Sequence, residues 1–360
     1  MSTTHERPGV YSAYDASSVV YGSTGAQVVG AVGWAAEGTA LAASQFTAAA
    51  DADELYGSSG DGVTALPELV RAALKNGASS VVAVPAAVGD DSADADAYAE
   101  ALAVLADWED VAVVICDSTD AEVQAAVLAH VEDCSDARKE RIAVLAGEAG
   151  ATVSALIERA AALNSERIVL TAPAPADSSG EPLADGTLAA AAVAGAIAGE
   201  SDPALPLGGA ELAGLSGLEC TYTDDELDLL IPGGVTPLES VGGVISVVRG
   251  VTTRTTTSGV SDSTWRELST IRIIDNVIPD IRDALRLRFA RTKNTEQTRS
   301  AIASQVIVLL EDKADRQIIE SYDSVTAEAD EDDPTVCVVE FNFAVVHGLN
   351  QIHISAHITV

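Results

Sequence analysis

Trp265–Asp312, WRELSTIRIIDNVIPDIRDALRLRFARTKNTEQTRSAIASQVIVLLED, and Thr335–Val360, TVCVVEFNFAVVHGLNQIHISAHITV, are the parts of this chain whose order says more than their composition. Over Leu268–Ile274 the run Thr270, Ile271, Arg272, Ile273, Ile274 is short and β-branched, and it reads as a strand. Asp275 and Asn276 then suit a helix start, with Pro279 where a first helical turn tolerates it. Ile281 and Leu285 lie one turn apart as an apolar stripe, while Arg282, Arg286, Arg288, Arg291 and Lys293 crowd the rest. A second helix fits Glu296–Asp312, where Ile302, Val306, Leu309 and Leu310 follow the i, i+4, i+7, i+8 spacing. Glu328–Asp333 reads as an acidic loop joining that helix to a closing β-hairpin. In its last strand Ile352, Ile354, Ala356, Ile358 and Val360 alternate with Gln351, His353, Ser355, His357 and Thr359. Such a strand needs a sheet, in its own subunit or a neighbour's.

Upstream, the pattern alternates between β-like and helical pieces. Strands are expected at 28–32, 80–84, 111–116, 142–145 and 167–171, and helices at 66–76, 93–107, 121–132, 153–163 and 187–199. Gly77 stands at a helix C′ position. Strands alternating with helices of this length imply an α/β layer with a mostly parallel sheet. Residues 171–186 and 201–217 are Pro-, Gly- and Ser-rich loops, and the boundary to the C-terminal core falls near Gly234–Gly242.

The ordered set of a strand, a basic helix, an Asn-containing turn, an amphipathic helix and a hairpin resembles the C-terminal domain of contractile tail sheath proteins of phages and phage-derived bacteriocins. Three further pieces agree: Arg7-Pro8-Gly9-Val10-Tyr11, similar to the family's PGVY opening, the helix at Val193–Gly199, and the strand-like run from Gly243 to Arg249. The resemblance implies an α/β and α+β fold in four parts: an N-terminal linking arm at 1–25, an outer α/β domain at 26–238, a sheath core at 239–350 and a C-terminal strand or arm at 351–360. It implies a helical cylinder of stacked six-membered rings around a tail tube, with baseplate and terminator proteins at its ends. The arms would add strands to neighbouring subunits through Val10, Tyr11, Val19, Val20, Ile352, Ile354, Ile358 and Val360. The Arg282–Lys293 cluster would face the tube; read from the residues alone it is a solvated helix face. No cofactor, metal or catalytic residue is implied, and the expected location is a virion tail or bacteriocin particle assembled in the host cytoplasm.

Composition fits that reading. A net charge of −35 argues against a nucleic-acid binder, which needs a basic face for phosphates. Twelve of the twenty Lys and Arg residues lie between Arg249 and Arg316 against nine acids, so this window alone is slightly positive. Cys116, Cys134, Cys220 and Cys337 are scattered without metal or disulfide spacing and read as free buried thiols. No secretory signal or membrane span is legible; the most apolar segment, Leu188–Ala198, falls short of the roughly 20 residues a span needs.

Possible chemistry is thin. The run from Gly57 through Gly60 to Gly62 lacks the Lys-Ser/Thr of a P-loop and reads as a loop. Asp51 and Asp53 open like a calcium loop, but Leu55 and Gly62 occupy ligand positions. Asp90, Asp91, Asp94 and Asp96 suit a helix N-terminus. His353 and His357 would be about 13 Å apart on a strand, too far to share an ion, which leaves them and His347 as surface or interface residues. His130 has no partner visible in the sequence. Two other classes remain open: a Rossmann-like or flavodoxin-like enzyme, marked by nucleotide or flavin binding, and a non-contractile lattice protein, marked by flat arrays or closed shells.

Overall fold

Strands buried on both faces need continuous apolar runs, and strands sharing a parallel sheet need a crossover between them. The computed structural model, which describes residues 28–57, 65–89, 94–177 and 186–350, meets both conditions. In chain order its first half contains β1 (Val28–Ala35), β2 (Ser44–Phe46), α1 (Ala49–Tyr56), α2 (Leu66–Lys75), β3 (Ser80–Val88), α3 (Ala95–Leu105), β4 (Val111–Cys116), α4 (Ala121–Asp136), β5 (Ile142–Ala146), α5 (Val153–Leu163), β6 (Ile168–Ala172) and β7 (Pro175–Ala176). Then follow α6 (Thr187–Gly199), β8 (Glu211–Leu212), β9 (Gly217–Leu218), α7 (Asp224–Leu230), β10 (Val235–Val241), β11 (Val244–Val247), β12 (Thr256–Thr257), β13 (Val260–Ser261), α8 (Leu268–Phe289), α9 (Glu296–Asp315), β14 (Ile319–Ala329) and β15 (Cys337–Val345).

Among the described residues a nine-stranded mixed sheet runs β2-β3-β1-β4-β5-β6-β10-β11-β8. The strands from β3 to β10 are parallel, while β2, β11 and β8 pair antiparallel at the two margins. Val28, Val32, Val82, Val84, Val114, Leu145 and Leu170 pack with Tyr98 and Leu102 of α3, Val123 and Val127 of α4, and Leu156 of α5. Their buried alternates Val29, Ala31, Val81, Ala83, Ile115 and Val144 point to the opposite side, where α2 and α6 contact the sheet. Helices therefore cover both faces.

Helix α6 is almost wholly buried and made mainly of Ala and Gly, which lets it approach α2 closely. A Cβ at Gly195 would stand 2.3 Å from the Ala73 carbonyl oxygen, and one at Gly199 2.9 Å from the Cα of Gly77. Side chains at these two positions would push the helices apart.

The described chain groups into two units, one holding the residues from Val28 to Ser201 with Leu205–Ser269, the other Thr270–His347 with Asp202–Ala204. In the smaller unit, Ile273, Val277, Ile278, Ile281 and Leu285 of α8 form a core with Val306 and Leu310 of α9, then Ile318, Ile319 and Phe341. The antiparallel β14–β15 hairpin packs along α9. Lys313 is buried in this unit and bonds to Asp280 and, at 2.6 Å, to the Asn276 side-chain oxygen.

Several expectations need correction. Leu268–Ile274 is helical, the first two turns of α8, and Pro279 lies inside that helix instead of in its first turn. Ile271, Ile274, Ile278, Ile281 and Leu285 repeat at intervals of three and four, and burial of that stripe outweighs the β-branched preference of a seven-residue run. The acidic stretch belongs to the hairpin itself, not to a link from α9 to it: Glu328 and Ala329 end the strand Ile319–Ala329 and residues 330–333 turn toward β15, and that strand is so polar and exposed that it carries no period-2 signal. Strand β2 and helix α1 had no counterpart in the sequence reading. The expected boundary at Gly234–Gly242 falls within β10, through which the large sheet continues. Cys220 is exposed instead of buried, and Cys337 is half-buried.

Candidate functional site

The basic cluster sits where α8 ends and α9 begins. Arg286 and Arg288 occupy the last turn of α8, where cations meet the partial negative charge of the final carbonyls. Arg291 ends the helix in the left-handed conformation (φ 64°), and the Thr292 amide and hydroxyl both donate to the Phe289 carbonyl. Thr295 starts α9 as its N-cap, accepting from the Thr298 amide at 3.2 Å. Arg286, Arg288, Arg291 and Lys293 are exposed; Arg288 donates to Gln305. Arg282 is only 6 % exposed, because it falls four residues after Ile278 and three before Leu285, on the buried stripe. The structure thus brings together four of the five cluster residues on the surface and puts the fifth in the core.

Between the two helices, Asn294 makes contacts across about forty residues of chain that no local pattern announces. Its side-chain amide donates to the carbonyls of Pro334 and Val336, both at 2.9 Å, and its side-chain oxygen accepts from Arg299 at 3.0 Å. The β14–β15 turn is thereby fastened beside the basic loop. Within the turn Asp330 accepts from the amides of Asp332 and Asp333, and Asp333 accepts from both the amide and hydroxyl of Thr335. These donors hold the Asp333 carboxyl below its ordinary range. Glu328, Glu331, Asp332 and Glu340 are exposed, and an open cavity of about 190 Å³ lies among Glu328, Asp330, Glu331 and Glu340.

Among the described residues the β14–β15 sheet has two strands, and each strand's second edge has no pairing partner. The residues expected to add strands, Val10, Tyr11, Val19, Val20, Ile352, Ile354, Ile358 and Val360, lie outside the described residues, as do His353 and His357. His347 is exposed.

The larger unit tests the enzyme reading. Its sheet order reverses between β1 and β4, and ligands of open α/β sheets bind beyond the carboxyl ends of the strands at such a point. A cavity of about 430 Å³ does lie there, lined by Tyr98, Asp117, Ser118, Asp120, Glu148 and Arg159. Asp117 accepts from the Trp34 amide at 2.6 Å and from the Tyr98 hydroxyl. Burial raises its carboxyl to about 6 despite those bonds. The amides at the start of α4 are taken by the side chain of Asp120, which accepts from Glu122 at 2.8 Å and Val123 at 3.2 Å. That carboxylate occupies the place where a phosphate would sit, and Asp117 and Glu148 would repel one. Asp51 and Asp53 lie in α1, with Asp53 paired to Arg71 at 2.5 Å, and Asp94 caps α3 through the Ala97 amide.

His130 has a partner after all. Its Nε2 lies 3.2 Å from Nη1 of the fully buried Arg141, whose other nitrogens donate to the carbonyls of Trp108 and Lys139. Burial first, and then the Arg141 charge, lower His130 to about 4, so the ring is neutral at pH 7. Arg141 and Lys139, which donates to the Ala106 carbonyl at 2.7 Å, close the end of α3. The arrangement is structural. Among the described residues there is no group of three or more His, Cys, Asp or Glu able to hold a metal, and no helix long and apolar enough to cross a membrane.

Two family models match consecutive parts of the chain: the phage tail sheath protein central domain over residues 91–253 and the phage tail sheath C-terminal domain over residues 260–359. The tail sheath protein of Bacillus phage SP01 is 30% identical over 170 residues, which take in 47% of this chain and 28% of that protein. This chain therefore aligns with less than a third of that relative's length. The helical sheath of the anti-feeding prophage in its contracted state superposes with a TM-score of 0.73 at 17% identity, covering 98% of this chain and 99% of that one. A sheath tail protein from Desulfitobacterium hafniense superposes with a TM-score of 0.71 at 15% identity, over 94% and 100% of the two chains. At these identities the superpositions speak for the fold.

Proposed function

Because this chain belongs to the phage tail sheath family, we propose that it is the structural subunit of a contractile sheath, polymerising as a helical cylinder around a tail tube and contracting to drive the tube through a cell envelope. The observation that carries this is the consecutive match of central and C-terminal sheath domains along one chain. Self-association is heterologous and does not close along the axis. Residues 1–25 and 351–360 serve as linking arms that complete a sheet in adjoining subunits, and the open edges of the β14–β15 hairpin support that role. The exposed Arg286, Arg288, Arg291 and Lys293 face the tube, in a contact weakened by salt. The extended cylinder is metastable, and contraction releases its stored free energy without nucleotide or metal. Rings of six, a baseplate and a terminator are the further partners of such a particle, assembled in the host cytoplasm and carried in the tail.

Negative-stain electron microscopy of the purified protein, with and without tube particles and across salt and concentration, tests this reading. Hollow cylinders of uniform width are expected; flat lattices, closed shells or tight nucleotide binding would overturn it.

A further inference from the structure

The basic loop is one half of a charge pattern. Asn294 lies one residue from Lys293, and the carbonyls it binds belong to Pro334 and Val336, immediately after Asp330, Glu331, Asp332 and Asp333. Through Asn294 the turn's carboxylates sit beside Lys293, and with ion screening over roughly 8 Å at physiological salt a surface that approaches this loop meets charges of both signs. The turn is also held in place. Two hydrogen bonds from Asn294, itself bonded to Arg299, prevent it from swinging aside, and Asp330 and Asp333 brace it from within. A uniformly acidic partner meeting Arg286, Arg288, Arg291 and Lys293 would therefore bring its carboxylates against Glu331 and Asp332, and like charges in an interface oppose binding.

The geometry points to a bipolar contact surface: the tube patch that fits this end of the smaller unit carries basic groups opposite the acidic β14–β15 turn as well as acidic groups opposite the α8–α9 loop. The inference rests on the reading that this end meets the tube. It also separates the tube from polyanions such as nucleic acid, which offer one sign only and are repelled by the turn. Paired patches of both signs set the register of docking as well as its strength.

The test uses the full-length chain and tube particles isolated from the same phage or bacteriocin, with co-sedimentation measured over a salt series. One variant is E331K/D332K, chosen because the turn's own side-chain hydrogen bonds run through Asp330 and Asp333; the other is R286E/R288E. Circular dichroism melting controls for folding, and E331Q/D332N gives a neutral step. A bipolar contact predicts that each reversal weakens co-sedimentation about tenfold, with the neutral variant between. If R286E/R288E weakens binding while E331K/D332K leaves it unchanged or tightens it, the partner is uniformly acidic and the bipolar surface is wrong. If R286E/R288E has no effect, the tube-facing reading itself fails, and the bipolar contact with it.

Discussion

Lys313 of α9 and Asp280 of α8 form an ion pair inside the smaller unit, with the lysine 2 % exposed and also bonded to Asn276. Two helices that share an apolar seam are thereby tied at a buried polar point as well. Breaking a buried pair from one side leaves a charge without compensation, whereas replacing both partners by apolar groups is often neutral. D280L, which leaves the buried Lys313 ammonium bonded to the neutral Asn276, is therefore expected to destabilise the smaller unit by about 3 kcal/mol, and D280L/K313M to recover most of that loss. Chemical denaturation followed by circular dichroism measures both, and equal losses in the two variants would contradict the assignment.

His130 makes the larger unit sensitive to acid. Its folded value of about 4 lies below the ordinary 6.5, so the unfolded chain takes up the proton first. The stability it contributes is complete above pH 6.5 and is lost as pH falls toward 4. Between pH 7 and pH 4 the wild type should lose ~2–3 kcal/mol more than H130Q. Parallel stability curves for the two proteins would show that the ring is protonated in the fold.

Asp117 acts with the opposite sign. Its folded carboxyl, raised to about 6, binds a proton more tightly than the unfolded one, so its contribution is complete below about pH 4 and is lost as pH rises through 6. Relative to D117N, the wild type should gain ~1–2 kcal/mol as pH falls from 7 to 5. Trp34, whose amide donates to this carboxylate, supplies the fluorescence probe. Over pH 6 to 4 the two residues offset each other, so the wild-type curve should be flatter than that of either variant.

G195A tests the close approach of α6 to α2. Alanine favours a helix over glycine by up to about 1 kcal/mol, yet here the added methyl would stand 2.3 Å from the Ala73 carbonyl oxygen. Backbone must move, so a net loss of about 1–3 kcal/mol is expected. A melting temperature equal to or above the wild type would show that the helices have room to part.

Much of the larger unit could be read from local pattern. Val111–Cys116, Val153–Leu163 and Thr187–Gly199 have the bounds that apolar runs, periodicity and flanking punctuation indicate. Strands covered on both faces are uniformly apolar, and the helices between them carry their caps in the sequence, as Asp94, Asp120 and Thr152 do. The smaller unit was less transparent. At Leu268–Ile274 a short β-branched window spoke for a strand, and only the stripe continuing to Leu285 restored the helical period. Strand β14 is exposed along most of its length, so its pairing comes from β15 and its support from α9, both outside any local window.

Sequence by itself determined the alternating α/β half, the paired helices ahead of a hairpin, the uneven charge and the resemblance to contractile sheaths, because each rests on neighbours along the chain. Tertiary structure decided that Arg282 is buried while Arg286 is exposed, that His130 meets Arg141, and that Asn294 fastens the acidic turn beside the basic loop. Each of these is set by groups brought together across the fold, where burial and a partner's charge, and not sequence spacing, fix what a side chain can do.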